Sequence, residues 1–239
     1  MTHPCCTEPL TASSSSPRPP HEPVPVVTQY ASPDLIGAIT YEGHDPAEDP
    51  RWAESGAPTQ RAYRRWCRHL CGMACLRMVL LHRDGQAPSL FQLLAGARPY
   101  GAYTTAGGGE IKGLIYAPFT QYADECHGLP ATVHRELPLD SLVDLLERGQ
   151  MVMASVSKEI RRPDHTPPRR GGHLVLAIGH QDGSILYNNP SGHTEQTRRA
   201  RLPVAEFGRF FGARGIALDL TVTVNGTPGG YATTRPVAS

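Results

Sequence analysis

Cys71 is the residue whose type and surroundings best suit nucleophilic chemistry. It begins the apolar stretch Cys71-Gly-Met-Ala-Cys-Leu-Arg-Met-Val, which is apolar on nearly every side and so predicts a buried helix. A thiol attacks as the thiolate, and the N-terminus of a helix favours that anion. The glycine after Cys71 lets a substrate backbone approach closely. The sequence therefore offers Cys71 as a nucleophile for a carbonyl carbon.

A nucleophilic cysteine also needs a neutral imidazole within hydrogen-bond reach and a third group that orients this imidazole. Such partners are usually remote in sequence. His173 follows two glycines and begins an apolar strand pattern, so it can stand at a sheet edge and face a cleft. Asn189 lies in the next predicted strand, where Pro190 keeps it extended. Its side-chain carbonyl can accept from an imidazole N–H without adding charge.

Each of these roles has competitors in the sequence. Cys67, Cys71 and Cys75 fall four apart on one helix face, so they can equally be small thiols that fill a core. No second cluster of Cys and His completes a tetrahedral metal set with them, and we expect neither a metal nor a cofactor. Asn188 competes with Asn189, since strand alternation lets only one of them face His173. The alternative histidines are His69, His180 and His193.

These motifs together resemble those of the C39-like cysteine peptidases, a branch of the papain-like fold. Cys71-Gly-Met-Ala-Cys-Leu-Arg-Met is similar to their Cys-Gly-x-Ala-Cys-Leu-x-Met signature, and Gly-Gly-His173-Leu-Val-Leu-Ala to their Gly-His-aliphatic strand. Asn-Asn189-Pro resembles their Asn-Asp-Pro, with Asn in place of Asp. The matches follow the family's order and cover roughly residues 25–224. The resemblance implies a Cys71-His173-Asn189 triad and an acyl-enzyme.

The resemblance also implies a glutamine ahead of the cysteine as an oxyanion donor. The family often places it about six residues before the nucleophile, and that position is Arg65 here. Gln29, in Val-Val-Thr-Gln-Tyr, is the better match, which makes residues 31–60 an insertion. The Cys71 backbone N–H is the second expected donor.

We therefore expect a cysteine-dependent hydrolase that acts on peptide, amide or thioester carbonyls. Two alternatives stay open. An acyl or peptidyl transferase would use the same triad with an amine in place of water, because a fold does not fix a function. A non-catalytic binding module with the papain-like fold is the other, although the nucleophile, the base and the orienting residue are all present.

The patterns of apolar residues predict an α+β domain, with helices first and strands later. Helices are expected over 60–81, 89–95, 113–126, 139–148 and 203–211, and strands over 25–30, 151–156, 174–179, 185–189 and 215–224. Residues 44–60 are expected to form a surface excursion. Residues 1–24, rich in Ser and Pro, and residues 225–239 are expected to be flexible tails around one domain, 25–224.

Composition limits the partners. The net charge is +1, which does not demand nucleic acid or an anionic membrane. No apolar run is long enough to predict a membrane span, and the N-terminus lacks the pattern of a secretory signal. We expect a cytoplasmic protein whose six cysteines are thiols. The basic residues at 158–170 and 198–201 predict either a solvated loop or a basic rim for an acidic partner protein, or for a substrate carboxylate or phosphate.

Overall fold

A computed structural model describes residues 23–220, so the two expected tails, 1–24 and 225–239, lie almost entirely outside the described residues. Seven α-helices and six strands are found in this part of the chain, together with shorter helical turns between residues 33 and 69. The helices are α1 (Gln60–Trp66), α2 (Cys71–Asp84), α3 (Leu90–Ala97), α4 (Tyr116–His127), α5 (Leu139–Glu147), α6 (Glu195–Arg198) and α7 (Val204–Phe210). The expected mixture of helices and strands is confirmed.

The six strands form one antiparallel sheet in the order β1-β6-β2-β3-β4-β5. They are β1 (Ala131–His134), β2 (Met151–Ser157), β3 (Gly172–Gln181), β4 (Ser184–Asn188), β5 (Arg199–Pro203) and β6 (Phe211–Leu218). The last of these strands in the chain, β6, is inserted between β1 and β2, so the sheet is not a simple meander.

Helices cover both faces of the sheet and create two cores. Along β2 the side chains alternate between these cores: Met151 and Met153 join the larger one, and Val152, Ala154 and Val156 join the smaller one. The larger core contains the buried faces of α1 to α4, and the smaller core contains those of α5 and α7. Every residue of β2 is buried, as expected for a strand covered on both sides.

The predicted helix over 60–81 is interrupted, and the interruption positions Cys71. Helix α1 ends at Trp66, a 3₁₀ turn covers Cys67–His69, and Leu70 has φ −89° and ψ 15°, outside helical values. Helix α2 then begins at Cys71. Apolar periodicity continues through the break because the buried side chains of both segments enter the same core, which is why the sequence predicts one helix.

The N-terminal segment packs against α1 without joining the sheet. The expected strand over 25–30 is wrong, because these residues have no strand partner within the described chain. Asp49 is fully buried and fixes this segment: its carboxylate accepts from the Ser32 N–H (3.0 Å), the Ser32 hydroxyl (2.6 Å) and the Tyr63 hydroxyl (2.7 Å). Tyr63 in turn accepts from the backbone N–H of Ala31.

Candidate active site

Cys71 is the first residue of α2 and is directed at the start of β3. The backbone N–H groups of Leu174, in β3, and of Gly72 lie close enough to the sulfur to lower the pKa of its thiol. Burial raises the pKa of the Cys71 thiol, and these two N–H groups and the cations of Lys158 and Arg161 oppose that rise. The thiol is half-buried and reaches a cavity, so a ligand can meet it. The site favours the thiol at rest and supports the thiolate when a base removes the proton.

His173 lies at the second position of β3, next to the residue whose N–H meets Cys71. Its Nε2 is 2.9 Å from Asn189 Oδ1 and 3.0 Å from Ser191 Oγ. Burial, together with the nearby Arg161 cation, lowers the pKa of His173 to about 3, while the hydrogen bond to Asn189 opposes this fall. The imidazole is therefore neutral at physiological pH, as a general base must be.

One obligatory donor indicates the protonation state of this ring. The backbone N–H of Ser191 can only donate, and it lies 3.0 Å from the Asn189 side-chain atom assigned as Oδ1, so that atom must be the oxygen. The facing Nε2 of His173 must then carry the proton. A neutral imidazole protonated at Nε2 has an unprotonated Nδ1, which is the nitrogen left for Cys71.

Arg161 extends this chain of hydrogen bonds. Its Nε–H donates to Ser191 Oγ over 2.8 Å, so the Ser191 hydroxyl proton is free to point to Asn189 Oδ1 at 3.3 Å. Arg161 is buried, and no carboxylate of the described chain lies within ion-pair distance of it. In the sequence, Arg161 is one of the basic residues at 158–170 and nothing distinguishes it from the others. Ser191 is not predicted either, although Ser191 lies only two positions after Asn189.

Gln29 connects the two halves of the site. Its backbone N–H donates to the carbonyl of Pro190, which follows Asn189 (2.8 Å). Its Nε2 donates to the carbonyl of Cys67, in the turn before Cys71 (2.8 Å). Gln29 Oε1 is buried without a partner. Arg65, six residues before Cys71, does not occupy this place between the two halves of the site. Its guanidinium donates to the carbonyl of Gly109 (3.4 Å).

The competing residues lie elsewhere. Asn188 donates to the carbonyls of Val24 and Pro25 (3.2 and 3.4 Å), and His180 pairs with Glu147 (3.0 Å). The His193 ring packs edge-on against Tyr41, 5.5 Å away, and His69 lies in the 3₁₀ turn before α2.

The cysteines of the described chain fall into two groups. Cys67, Cys71 and Cys75 are free thiols, whereas Cys126 is disulfide-bonded, so the expectation of thiols throughout is wrong for Cys126. Cys67 and Cys75 are fully buried, and burial raises the pKa of both. Of the three free thiols, Cys71 is the one that reaches the cavity.

A cavity of about 620 Å³ lies beside the thiol. One wall is the segment 113–117, which leads into α4. The floor comes from the ends of four adjacent strands, β1, β6, β2 and β3. Its lining includes Cys71, His173, Tyr116, Ser155, Arg135 and Arg214. The cavity is large enough for several atoms on either side of a scissile bond.

Residues 23–220 contain no group of three or more His, Cys, Asp or Glu side chains placed to hold a metal ion. None of the helices in this range combines the length and the apolar character needed to cross a bilayer.

Comparisons with known proteins give structural neighbours but no match in sequence. No protein-family model matches the chain, and neither does any curated protein. The structural neighbours are C39 peptidase domains. The chain is similar to the peptidase domain of Streptococcus ComA, a bi-functional ABC transporter, at 15% identity and a TM-score of 0.43 over 63% of this chain and 91% of that one.

Two further structural neighbours are also described as proteases or peptidases. One is a double glycine motif protease from an AMS/PCAT transporter, solved with its leader peptide (18% identity, TM-score 0.41, 62% of this chain and 82% of that one). The other is described as a C39-like peptidase from Bacillus anthracis (13% identity, TM-score 0.46, 63% and 88%). All three TM-scores are below 0.5, so a function for this protein has to follow from the contacts of its own site.

Proposed function

We propose that this protein is a cysteine peptidase whose nucleophile is Cys71, whose base is His173 and whose orienting residue is Asn189. The observation that carries the proposal is the 2.9 Å contact of His173 Nε2 with Asn189 Oδ1, the atom that also accepts the Ser191 N–H. This contact favours the tautomer whose unprotonated nitrogen faces away from Asn189. A neutral base next to a helix-N-terminal thiol is the arrangement that covalent acyl transfer requires. The cavity supplies room for a polypeptide at the thiol.

The reaction proceeds through an acyl-enzyme. His173 Nδ1 removes the Cys71 proton as the sulfur attacks the scissile carbonyl, and the imidazolium then protonates the leaving amine. The Cys71 N–H stabilises the oxyanion, and Gln29 Nε2 is the second proposed donor. One hydrogen of that amide is used by the Cys67 carbonyl, and Gln29 is buried and is not among the residues that line the cavity. Water activated by His173 then hydrolyses the thioester.

The proposed substrate is a peptide, and the cavity beside Cys71, with a volume of about 620 Å³, has room for a short stretch of it. The neighbour solved with a leader peptide cleaves at a double glycine motif.

The test compares alkylation and peptide cleavage in four proteins: wild type, Cys71→Ala, His173→Ala and Cys75→Ala. Iodoacetamide labelling is followed by peptide mapping, and cleavage by a mixture of peptides read by mass spectrometry. We expect Cys71 to be labelled fastest in the wild type and about a hundredfold more slowly in His173→Ala, as loss of a general base implies. Cleavage should disappear in Cys71→Ala.

Cys75→Ala is the matched control, because it removes a buried thiol one helical turn from the nucleophile. It should retain both labelling of Cys71 and cleavage. Equal labelling of Cys71 in the wild type and His173→Ala would exclude the proposed base. Labelling without cleavage, but with transfer to an added amine, would replace the peptidase by a transferase.

A further inference from the structure

Strand β6 carries an irregularity directly beneath the cavity. Ala154 pairs with Gly215 and Val156 pairs with Phe211, so the single residue Ser155 of β2 faces the three residues 212–214 of β6. Ala213 within this bulge has φ +50°, a left-handed conformation that is uncommon for a residue with a Cβ. Bulges next to active sites commonly redirect a side chain. Here the redirected side chain is that of Arg214.

Several contacts hold Arg214 in the cavity wall. The Arg214 guanidinium and the Ser155 hydroxyl both act to lower the pKa of Tyr116 against the rise that burial causes, and the three side chains line the same cavity. A Cβ built on Gly171 would lie 2.9 Å from Arg214 Nη2, so the guanidinium crosses directly over that glycine. The carbonyl of Ala213 accepts from the Leu137 N–H (2.8 Å), which fastens the bulge to the loop after β1.

The charge of this wall is not balanced by the protein. The lining of the cavity includes two arginines, Arg135 and Arg214, and no Asp or Glu. Within residues 23–220, no carboxylate lies at ion-pair distance from either guanidinium. Other arginines, such as Arg201 and Arg209, have acidic partners. An arginine fork with neighbouring hydroxyls is a ready receptor for a carboxylate.

We propose that Arg214, assisted by Tyr116, Ser155 and Arg135, forms a subsite that binds a substrate carboxylate beside the bond attacked by Cys71. This inference rests on the proposed function for the identity of the reaction, but the subsite itself needs only a reactive Cys71. The carboxylate has two sources, an acidic side chain or the C-terminal group of a peptide. In both cases the guanidinium fixes the substrate in register with the thiol.

The first test needs no peptide substrate. Iodoacetate and iodoacetamide deliver nearly the same group to Cys71, but only iodoacetate carries a carboxylate. The ratio of their rates at Cys71 should be about tenfold lower in Arg214→Gln than in the wild type, as expected for losing one charge-assisted contact. Because it is a ratio, it cancels a general change in the reactivity of the thiol.

Lys158→Gln is the matched control. Lys158 is an exposed cation whose charge acts on Cys71, but it does not line the cavity. The ratio should change by less than about threefold in this variant, as expected for a screened surface charge. Equal losses in Arg214→Gln and Lys158→Gln would overturn the subsite, because the effect would then belong to the general field of the basic residues.

A second test identifies the source of the carboxylate in any peptide that is cleaved. Paired peptides carry Asp or Asn near the scissile bond, and each is made as the C-terminal acid and the amide. The wild type should prefer one acidic member at least tenfold in kcat/KM, and Arg214→Gln should lose that preference. If the wild type cleaves peptides without preferring an acidic member, the subsite is refuted. If no peptide is cleaved but Arg214→Gln still lowers the iodoacetate to iodoacetamide ratio, only the proposed peptidase activity is refuted.

Discussion

The backbone N–H of Ser191 decides the chemistry of His173 more firmly than either side chain of the pair could. Amide oxygen and nitrogen are interchangeable in an isolated Asn–His contact, and so are the two ring tautomers. One obligatory donor removes both ambiguities here. An aspartate at position 189 would accept the same hydrogen bonds, so the asparagine provides this geometry without placing a charge in the site.

Arg161 should control the basicity of His173. Its cation is the second-largest cause of the low pKa of His173, after burial. We expect Arg161→Met to raise the pKa of His173 by about one pH unit, while burial keeps it below the ordinary value. A ring-proton NMR titration measures this directly. Removing a buried guanidinium that has no carboxylate partner in the described chain should leave the fold intact.

Arg162→Met is the control for this titration. Arg162 pairs with Glu159 and acts on His193, but it is not among the causes that shift His173. The His173 titration should therefore not move in this variant. A shift of equal size in both variants would mean that the whole basic segment, and not Arg161, sets the pKa.

The sequence allows a prediction for residues whose side-chain chemistry marks them out, but not for residues whose importance depends on where the fold places them. Cys71, His173 and Asn189 have side chains whose chemistry and order are visible in the motifs, although their roles stay predictions until they are tested. Arg161 and Arg214 could not be distinguished from other arginines. Only the packing that buries the first and the bulge that places the second, which is exposed, in the cavity lining distinguish them from the other arginines.

Among the elements, the close approach of the segment before β3 to β6 determines the shape of the cavity. Gly171 has φ +81°, and a Cβ on Gly212 would lie 3.3 Å from its Cα. Larger residues at either position would separate the backbones or displace Arg214. A glycine at position 171, two residues before His173, is thus required by the packing against β6 and Arg214, which the sequence motif does not reveal.

Comparing Gly171→Ala with Gly183→Ala separates the effect of backbone strain from the effect of the contact with Arg214. Both glycines have positive φ, but nothing lies within 4 Å of a Cβ at Gly183, in the turn between β3 and β4. Each variant should lose about 1 kcal/mol of unfolding free energy from the backbone conformation. Only Gly171→Ala should also lower the iodoacetate to iodoacetamide ratio at Cys71, because its Cβ meets the Arg214 guanidinium. Matching ratios in both variants would argue against this contact.

The elements that the sequence analysis missed are those without a strong apolar pattern. Strands β1 and β5 are the two edges of the sheet, with polar and charged residues and only partial burial. The segment 25–30 has β-branched residues but packs by side chains and by single hydrogen bonds such as the one from Gln29 to Pro190. Tertiary contacts outweigh strand propensity in both cases.

At the scale of the molecule, two histidines, the half-buried His127 and the buried His173, link folding to pH. Burial lowers the pKa of His127 to about 4 and that of His173 to about 3, against an ordinary value of 6.5. Below pH 6.5 the unfolded chain binds protons at both positions while the folded chain does not. The free energy of unfolding therefore rises with pH up to about 6.5 and falls progressively as the pH drops toward 3.

The double variant His127→Gln, His173→Gln should show a weaker dependence. Its melting temperature is expected to decline less between pH 7 and pH 4.5 than that of the wild type, even if it starts lower. Thermal unfolding followed by circular dichroism at several pH values measures both curves. Parallel curves for the two proteins would assign acid lability to the carboxylates, such as Asp49, instead.

The insertion of β6 between β1 and β2 has a consequence for how the protein is made. A ribosome releases the chain from the N-terminus, so Cys71 emerges more than 130 residues before β6 does. Until β6 is made, the strand that lies between β1 and β2 in the sheet is missing, and so is the cavity wall that carries Arg214. The proposed carboxylate subsite can therefore form only after the last strand has been synthesised, later than the segments that carry Cys71 and His173.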